Sequence, residues 1–179
     1  MDGIAVWDYC PPKGFSRIVM ESDGEALTAL RFEGACGTWR RIARAVRRDL
    51  PVFRDACRWL DVYFAGRQPD FSVRWRLTGT TPFREAVVRE LLKIPFGATA
   101  TYGGIALTLA RRRGAGRMSA QAVGGAVGWN PICIIIPCHR VIGADGGLTG
   151  YGGGLGNKVA LLANEGIPVV SRRVAPHRK

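Results

Sequence analysis

Asn130-Pro131-Ile132-Cys133-Ile134-Ile135-Ile136-Pro137-Cys138-His139-Arg140-Val141 joins a nearly unbroken β-branched run to a Cys-His pair behind a proline. A run of this kind after a turn reads as a buried strand. Pro137 has no N–H to give a ladder, so regular pairing should fail around it. Cys138 then sits at the end of a rigid strand, next to the only histidine in the body of the chain; the other, His177, lies in the basic tail. The thiolate is the reactive form of cysteine, and an unperturbed pKa of about 8.5 leaves only a few per cent ionised at neutral pH. A neighbouring histidine acting as base, or a cation such as Arg140, raises that fraction. Taken alone, the dipeptide reads either as a reactive pair or as a buried thiol beside a satisfied histidine.

Upstream of this stretch, Ser119 is placed to cap a helix over 120–128 that contains Ala122, Gly124, Gly125, Ala126 and Gly128. Each glycine costs a helix about 1 kcal/mol relative to alanine. Such a small-residue surface serves tight helix packing or the close approach of DNA. Arg111, Arg112, Arg113 and Arg117, in a glycine-interrupted loop just before it, favour DNA. Each arginine neutralises a phosphate, and the free N–H groups at the helix start bind one too. A helix over 102–110 precedes the loop, and the pair resembles a helix-turn-helix. Before it, residues 83–94 form an amphipathic helix capped by Thr81, with Pro82 in its first turn and Phe83, Val87, Leu91 and Ile94 on one face.

Gly79-Thr80-Thr81-Pro82 breaks the pattern and marks a domain boundary. The preceding part reads as α+β. Runs 15–21 and 26–33 flank Ser22-Asp23-Gly24-Glu25, a hairpin signal. Residues 40–48 read as a basic helical stretch. Residues 52–64 follow Pro51 as a helix with Phe53, Ala56, Cys57, Leu60 and Phe64 at core spacing, and 71–77 alternate like a strand.

At 179 residues, 47% apolar and 22% charged, the chain suits one medium domain or two small ones. The net charge of +12 points to a polyanionic partner, with nucleic acid ahead of an anionic membrane surface. No apolar run reaches the roughly 18 residues of a membrane span, and the Met1-Asp2 start shows no signal peptide. The five cysteines are odd in number, scattered and without a C-x-x-C pair, which argues for a reducing compartment over a disulfide framework. Cys10, Cys36 and Cys57 read as small unreactive residues, and no zinc ligand set is visible.

Pro137-Cys138-His139-Arg140-Val141 resembles the active-site signature of the O6-alkylguanine-DNA alkyltransferases, or methylated-DNA–protein-cysteine methyltransferases. The resemblance extends through Thr81-Pro82-Phe83, Ile94-Pro95-Phe96-Gly97, Thr101-Tyr102, Ala122-Val123-Gly124-Gly125-Ala126, Asn130-Pro131, Thr149-Gly150-Tyr151 and Asn164-Glu165-Gly166, in the family's order and spacing. It implies an α+β fold: a small ribonuclease-H-like N-terminal domain (1–79), then a mostly helical, winged helix-turn-helix-like domain carrying the active-site cysteine (80–170), and a basic tail (171–179).

The resemblance implies direct-reversal DNA repair in one turnover, with Cys138 taking a methyl or other alkyl group from O6 of guanine or O4 of thymine. His139 matches the histidine that deprotonates the thiol, usually through a water, and Glu165 the carboxylate that orients it. Without the family, Glu165 reads as a solvated helix C-terminus before Gly166. Asn130 matches the residue that ties the active-site turn together. Tyr151 matches the tyrosine that donates to the flipped guanine, and Tyr102 the one that crowds the target phosphate; on their own both read as packing residues. Backbone near Val141 and Gly152 would line the guanine. The third helix, through Gln121, Ala122 and Gly125, would enter the minor groove, whose width of about 6 Å leaves little room for side chains. Gln121 stands where many members carry an intercalating arginine. Ser119, Arg111, Arg112, Arg113 and Arg117 would bind backbone. Neither cofactor nor metal is implied, and the protein would be a cytoplasmic monomer, nucleoid-associated in a bacterium, acting on double-stranded DNA that contains O6-alkylguanine. Three other readings are weaker: a non-catalytic lesion sensor, whose kind lacks the cysteine; a transcription factor, which would need further modules; and a thiol hydrolase, which would need an oxyanion hole.

Overall fold

The computed structural model describes residues 4–34, 45–114 and 116–174. Strands β1 (Ala5–Tyr9), β2 (Ile18–Ser22) and β3 (Leu27–Phe32) form an antiparallel meander, and β4 (Val46–Arg47) joins β1 in parallel, giving the order β3-β2-β1-β4. The expected hairpin is β2–β3. Its turn is closed by the Asp23 carboxylate, which accepts from the N–H groups of Glu25 and Ala26. Helix α1 (Pro51–Phe64) follows, with Val52, Phe53, Ala56, Trp59, Leu60 and Tyr63 buried. Helices α2 (Pro82–Leu91), α3 (Tyr102–Arg112), α4 (Ala120–Trp129) and α5 (Leu155–Asn164) make up most of the second half. Short β5 (Ala100–Thr101) and β6 (Val141–Ile142) pair in parallel, and β7 (Val169–Val170) pairs with β8 (Arg173–Val174).

The caps expected from sequence are made. Thr81 accepts from Arg84 N at 3.3 Å, and Ser119 from Gln121 N at 3.1 Å and Ala122 N at 3.4 Å. Thr101 caps α3 in the same way. One buried cluster draws on both sides of Gly79, including Leu30, Phe32 and Tyr63 with Leu91, Ile132, Cys138 and Leu161. Among the described residues, no helix is long and apolar enough to cross a membrane.

Three expectations are corrected. Of the basic stretch 40–48, residues 40–44 lie outside the described residues, as does Cys36, while Val46 and Arg47 are extended against the open side of β1. Residues 71–77 make a single bridge, Leu27 to Trp75. The run 130–136 is not a strand either. It bridges Leu30 through Ile132 and then folds back, with Ile136 N bonded to Ile132 O and Ile134 at φ 70. The last two share a cause in β3, the edge of the sheet. Its outer groups are shared between 74–76, at Leu27, and 131–133, at Leu30, so neither segment has enough partners to become a strand. Ile132, Ile134 and Ile136 are buried by the surrounding core, not by a ladder. Positive φ is costly for a β-branched residue, and packing of Ile134 at 1% exposure holds it there.

Candidate active site

Cys138 begins a single turn of 3-10 helix, Cys138–Arg140, and is 4% exposed. Its shape comes from Asn130, the residue that stops α4. The Asn130 amide donates to Ile136 O at 2.9 Å, Ile132 O at 3.3 Å and Cys138 Sγ at 3.0 Å, while its oxygen accepts from Ile132 N at 3.1 Å. One side chain thus closes the loop and places a donor on the sulfur. The far wall is β3, where Leu30 bonds Pro131 O and Cys133 N through its own N–H and carbonyl.

His139 and Glu165 meet on the inner side of this turn. Glu165 is the C-cap of α5, and Gly166 at φ 76 reverses the chain with N–H bonds from Gly166 to Ala163 O and from Ile167 to Leu162 O. This helix stop turns the carboxylate inward, where it is 5% exposed, rather than out to solvent. Its oxygens accept from His139 Nε2 at 2.7 Å, Tyr63 Oη at 2.8 Å, Arg140 Nε at 2.8 Å and Nη2 at 3.0 Å, and Gly97 N at 3.1 Å. Gly97 sits at φ 75, a conformation that favours glycine, and a Cβ there would press on the backbone carbonyl of Glu165 at 3.3 Å. Burial pushes the Glu165 carboxyl up, but His139 and Arg140 outweigh it and bring its pKa down to about 2. Burial pushes His139 down, against Glu165, so the ring is neutral at neutral pH. Nε2 lies between the ionised Glu165 and the Tyr63 hydroxyl and carries the ring proton, leaving Nδ1, which has no hydrogen-bond partner among the described residues, with the lone pair.

A cavity of about 20 Å³ lies against the sulfur, lined by Val127, Asn130, Cys133, Cys138, Tyr151 and Gly152 among others. This matches one small group, a water or a methyl. The Cys133 thiol on its wall does most to hold Cys138 below the ordinary thiol range; burial opposes this, and the Asn130 amide and the Lys158 ammonium assist it. Lys158 is fully buried, donates to Val141 O at 2.7 Å, and is pushed down by burial to about 8. The cation acting on the sulfur is therefore Lys158. Arg140 is committed to Glu165 and, at 2.6 Å, to Ile94 O. Among the described residues Tyr151 Oη is buried with no hydrogen bond of ordinary geometry, next to the Cys133 and Cys138 sulfurs; burial, then the two sulfurs, raises its pKa far above the usual range. Gly153 is obligatory beside it, since a Cβ there would sit 2.6 Å from the Phe32 ring and 2.7 Å from that of Tyr151.

The site thus gathers Cys138, His139, Glu165, Asn130, Tyr151 and Gly152. Val141 is buried in β6 with its carbonyl taken by Lys158, away from the cavity. Of the other expected residues, Gln121, Ala122, Gly125, Ser119, Arg111, Arg112, Arg113 and Arg117 are exposed, and Tyr102 is half-buried at the start of α3. On α4 a Cβ added at Gly125 or Gly128 meets nothing within 4 Å, so packing within the chain does not require these glycines; only Gly124 touches Tyr102, at ordinary distance. Arg112 pairs with Glu90, and Arg113 lies over the Phe83 ring at 5.5 Å. Trp129 is covered by Arg84, 4.6 Å from its ring centroid.

Two residues at the site escaped the sequence reading. Tyr63 belongs to the buried stripe of α1 with Ala56 and Leu60, and a fully buried tyrosine needs a partner for its hydroxyl. Lys158 lies on the stripe Leu155, Lys158, Leu161, Leu162, Glu165 at α5, so its periodicity marked it as buried. Cys133 stands in the sequence as a residue that would shape the limit on alkyl size, and its direction toward Cys138 depends on the fold-back at Ile134.

The model for the family described as "6-O-methylguanine DNA methyltransferase, DNA binding domain" matches residues 82–167. The methylated-DNA–protein-cysteine methyltransferase of Haemophilus influenzae is 38% identical over 165 residues, covering 90% of this chain and 87% of that protein. The enzyme of that name from Mycobacterium tuberculosis strain H37Rv is 50% identical over 117 residues, covering 65% and 67%. Among solved structures, Mycobacterium tuberculosis OGT in complex with DNA superposes with a TM-score of 0.75 at 40% identity, covering 90% of this chain and 93% of that one. An O6-methylguanine DNA methyltransferase from Methanococcus jannaschii follows at TM-score 0.57 and 26% identity, covering 97% and 99%.

Proposed function

Because the chain belongs to the methylated-DNA–protein-cysteine methyltransferase family, we propose that it repairs DNA by direct reversal, moving an alkyl group from O6 of guanine to Cys138 once per molecule. One observation carries the assignment of the acceptor: a buried sulfur, held below the ordinary thiol range by Cys133, Asn130 and Lys158, faces a cavity of about 20 Å³.

His139 Nδ1 takes the thiol proton through a bridging water, and Glu165 stabilises the imidazolium that results. The thiolate attacks the alkyl carbon in line. The S–C bond forms as the C–O6 bond breaks, and the electron pair leaves on guanine. Tyr151 hydrogen-bonds to the departing base, and the thiol proton held on His139 returns through solvent to the guanine anion, so the proton that sulfur loses is the one guanine gains. The product thioether has no ready leaving path, which limits the protein to one turnover.

In this reading the chain divides at residues 79 and 80 into a ribonuclease-H-like domain and a winged helix-turn-helix-like domain, with the tail from 171. The solvent-facing surface of α4 supports entry into the minor groove, because Gly125 and Gly128 are small without internal need. The target base leaves the stack at a cost of a few kcal/mol. Gln121 takes the vacated space, Tyr102 turns the target phosphate, and Ser119 with the arginines holds the backbone of double-stranded DNA as a monomer. Backbone at Gly152, on the cavity rim, contacts the guanine.

The test is stoichiometric. Incubated with a duplex containing O6-methylguanine, the protein should gain the mass of one methyl, on Cys138, and the Cys138→Ser variant none. Methyl on another residue, or continued turnover, overturns the assignment.

A further inference from the structure

Helix α1, far from the cysteine in sequence, ends inside the acid–base pair. Tyr63 is fully buried, and its hydroxyl stands 2.8 Å from Glu165 Oε1 and 3.3 Å from His139 Nε2. One further hydrogen bond and one ring stack seat it: Asn164 donates to Tyr63 O at 2.8 Å, and the ring stacks on Trp59 with centroids 5.6 Å apart. The ring also meets Phe96 and His139 edge-on. A buried tyrosine could satisfy its hydroxyl with any nearby carbonyl. This one spends it on the carboxylate oxygen that also receives the histidine proton.

We propose that Tyr63 is a positioning residue that fixes which nitrogen of His139 carries the proton. The hydroxyl has one proton, and the ionised Glu165, which only accepts, takes it. What Tyr63 then shows to Nε2 is an oxygen lone pair. Nε2 therefore faces two acceptors and must be protonated, which leaves Nδ1 as the basic nitrogen. In the opposite tautomer the Nε2 lone pair would oppose a carboxylate oxygen at 2.7 Å. Burial, followed by Glu165, keeps the phenol protonated far above neutral pH, so the donor does not switch. Tyr63 also draws charge from Glu165 and so limits how basic His139 becomes.

The other groups acting on His139 are Lys158 from α5, Glu165 at its C-cap and Arg140 from the turn of His139 itself; Tyr151 acts on Cys138 and Tyr63. All of them remain in Tyr63→Phe, which removes one oxygen and keeps the ring contacts. The variant isolates the hydroxyl.

This inference about the histidine base rests on the alkyl-transfer reading, and two measurements keep them separable. By nitrogen-15 NMR, His139 in the wild type is expected as the neutral Nε2–H tautomer at neutral pH, and Tyr63→Phe is expected to show a mixture. In single-turnover reaction with O6-methylguanine duplex, Tyr63→Phe is expected to run about tenfold slower at neutral pH. The acid limb of its pH–rate profile should move to higher pH, with duplex affinity unchanged. A wild type in the Nδ1–H form overturns the proposal whether or not the variant folds. So does a variant whose tautomer matches the wild type, or whose acid limb stays in place or moves down. A wild type that takes no methyl overturns the alkyl-transfer reading alone, and the tautomer then decides Tyr63.

Discussion

Cys138 is activated by neighbours from three places: Cys133 on the fold-back, Asn130 at the end of α4, and Lys158 on α5. Replacing Cys133 with alanine removes the largest of these influences. The pH midpoint of Cys138 alkylation by iodoacetamide should move up toward that of a free thiol, and an unmoved midpoint would remove Cys133 from the site. Glu165 makes a different prediction. Its pKa of about 2 lies below the ordinary 4.5, so its contribution to stability is complete above about pH 4.5. It is lost as the pH falls through about 2. Glu165→Gln should remove that part of the acid dependence. It also leaves the Arg140 guanidinium buried without a counter-charge, at a cost of about 3–5 kcal/mol, measurable by urea unfolding. At this scale the cysteine, histidine and carboxylate were legible through the family resemblance, since Glu165 alone reads as a solvated helix end and the Cys-His pair alone is ambiguous. The sequence did not show that Arg140 serves Glu165 while Lys158 serves the sulfur, since charge alone does not say which way a side chain turns.

Helix α4 was legible in composition but ambiguous in purpose, because small residues serve internal packing and external approach equally. The open space beside Gly125 and Gly128 separates the two. Gly125→Ala should therefore stabilise the protein by about 1 kcal/mol through helix propensity, and Gly125→Leu should leave the melting temperature near that of the wild type. The leucine should nonetheless weaken duplex binding. A leucine variant that unfolds early while binding normally would mean that the face is an internal one. The arginines beside it are not equivalent. Among the described residues Arg111 and Arg117 have no acidic partner, whereas Arg112 is paired with Glu90. Substituting Arg111 or Arg117 by alanine should flatten the salt dependence of duplex binding by about 0.9 per lost phosphate contact. The expected strands at 71–77 and 130–136 failed for a reason outside those segments: one sheet edge was divided between them.

Across the whole molecule, the first half supplies three walls of the site. Leu30 holds the active-site loop, Phe32 packs on Tyr151, and Tyr63 bonds the His139–Glu165 pair. The cavity of about 20 Å³ beside the sulfur has room for a methyl, so a larger alkyl group, such as benzyl, should cost about 1–3 kcal/mol by overpacking. For a chain of this size that lowers the melting point by about 2–4 °C per kcal/mol, so calorimetry of the benzylated and methylated proteins should resolve it. Equal melting would argue against a closely packed thiol. The sequence by itself determined helices α1 to α4, the caps of α2 and α4, the hairpin and the basic surface, and it pointed to Cys138 as nucleophile only through the family resemblance. The elements follow from local chemistry: a residue type, a period of side chains, or a count of charges. Only the tertiary structure decided that the isoleucine run is a fold-back, that Cys133 and Lys158 meet the sulfur, and that a tyrosine of α1 completes the histidine pair. Those outcomes depend on which distant groups reach a given edge or cavity first, and hydrogen-bonding capacity shared across the chain is not written in any one segment of it.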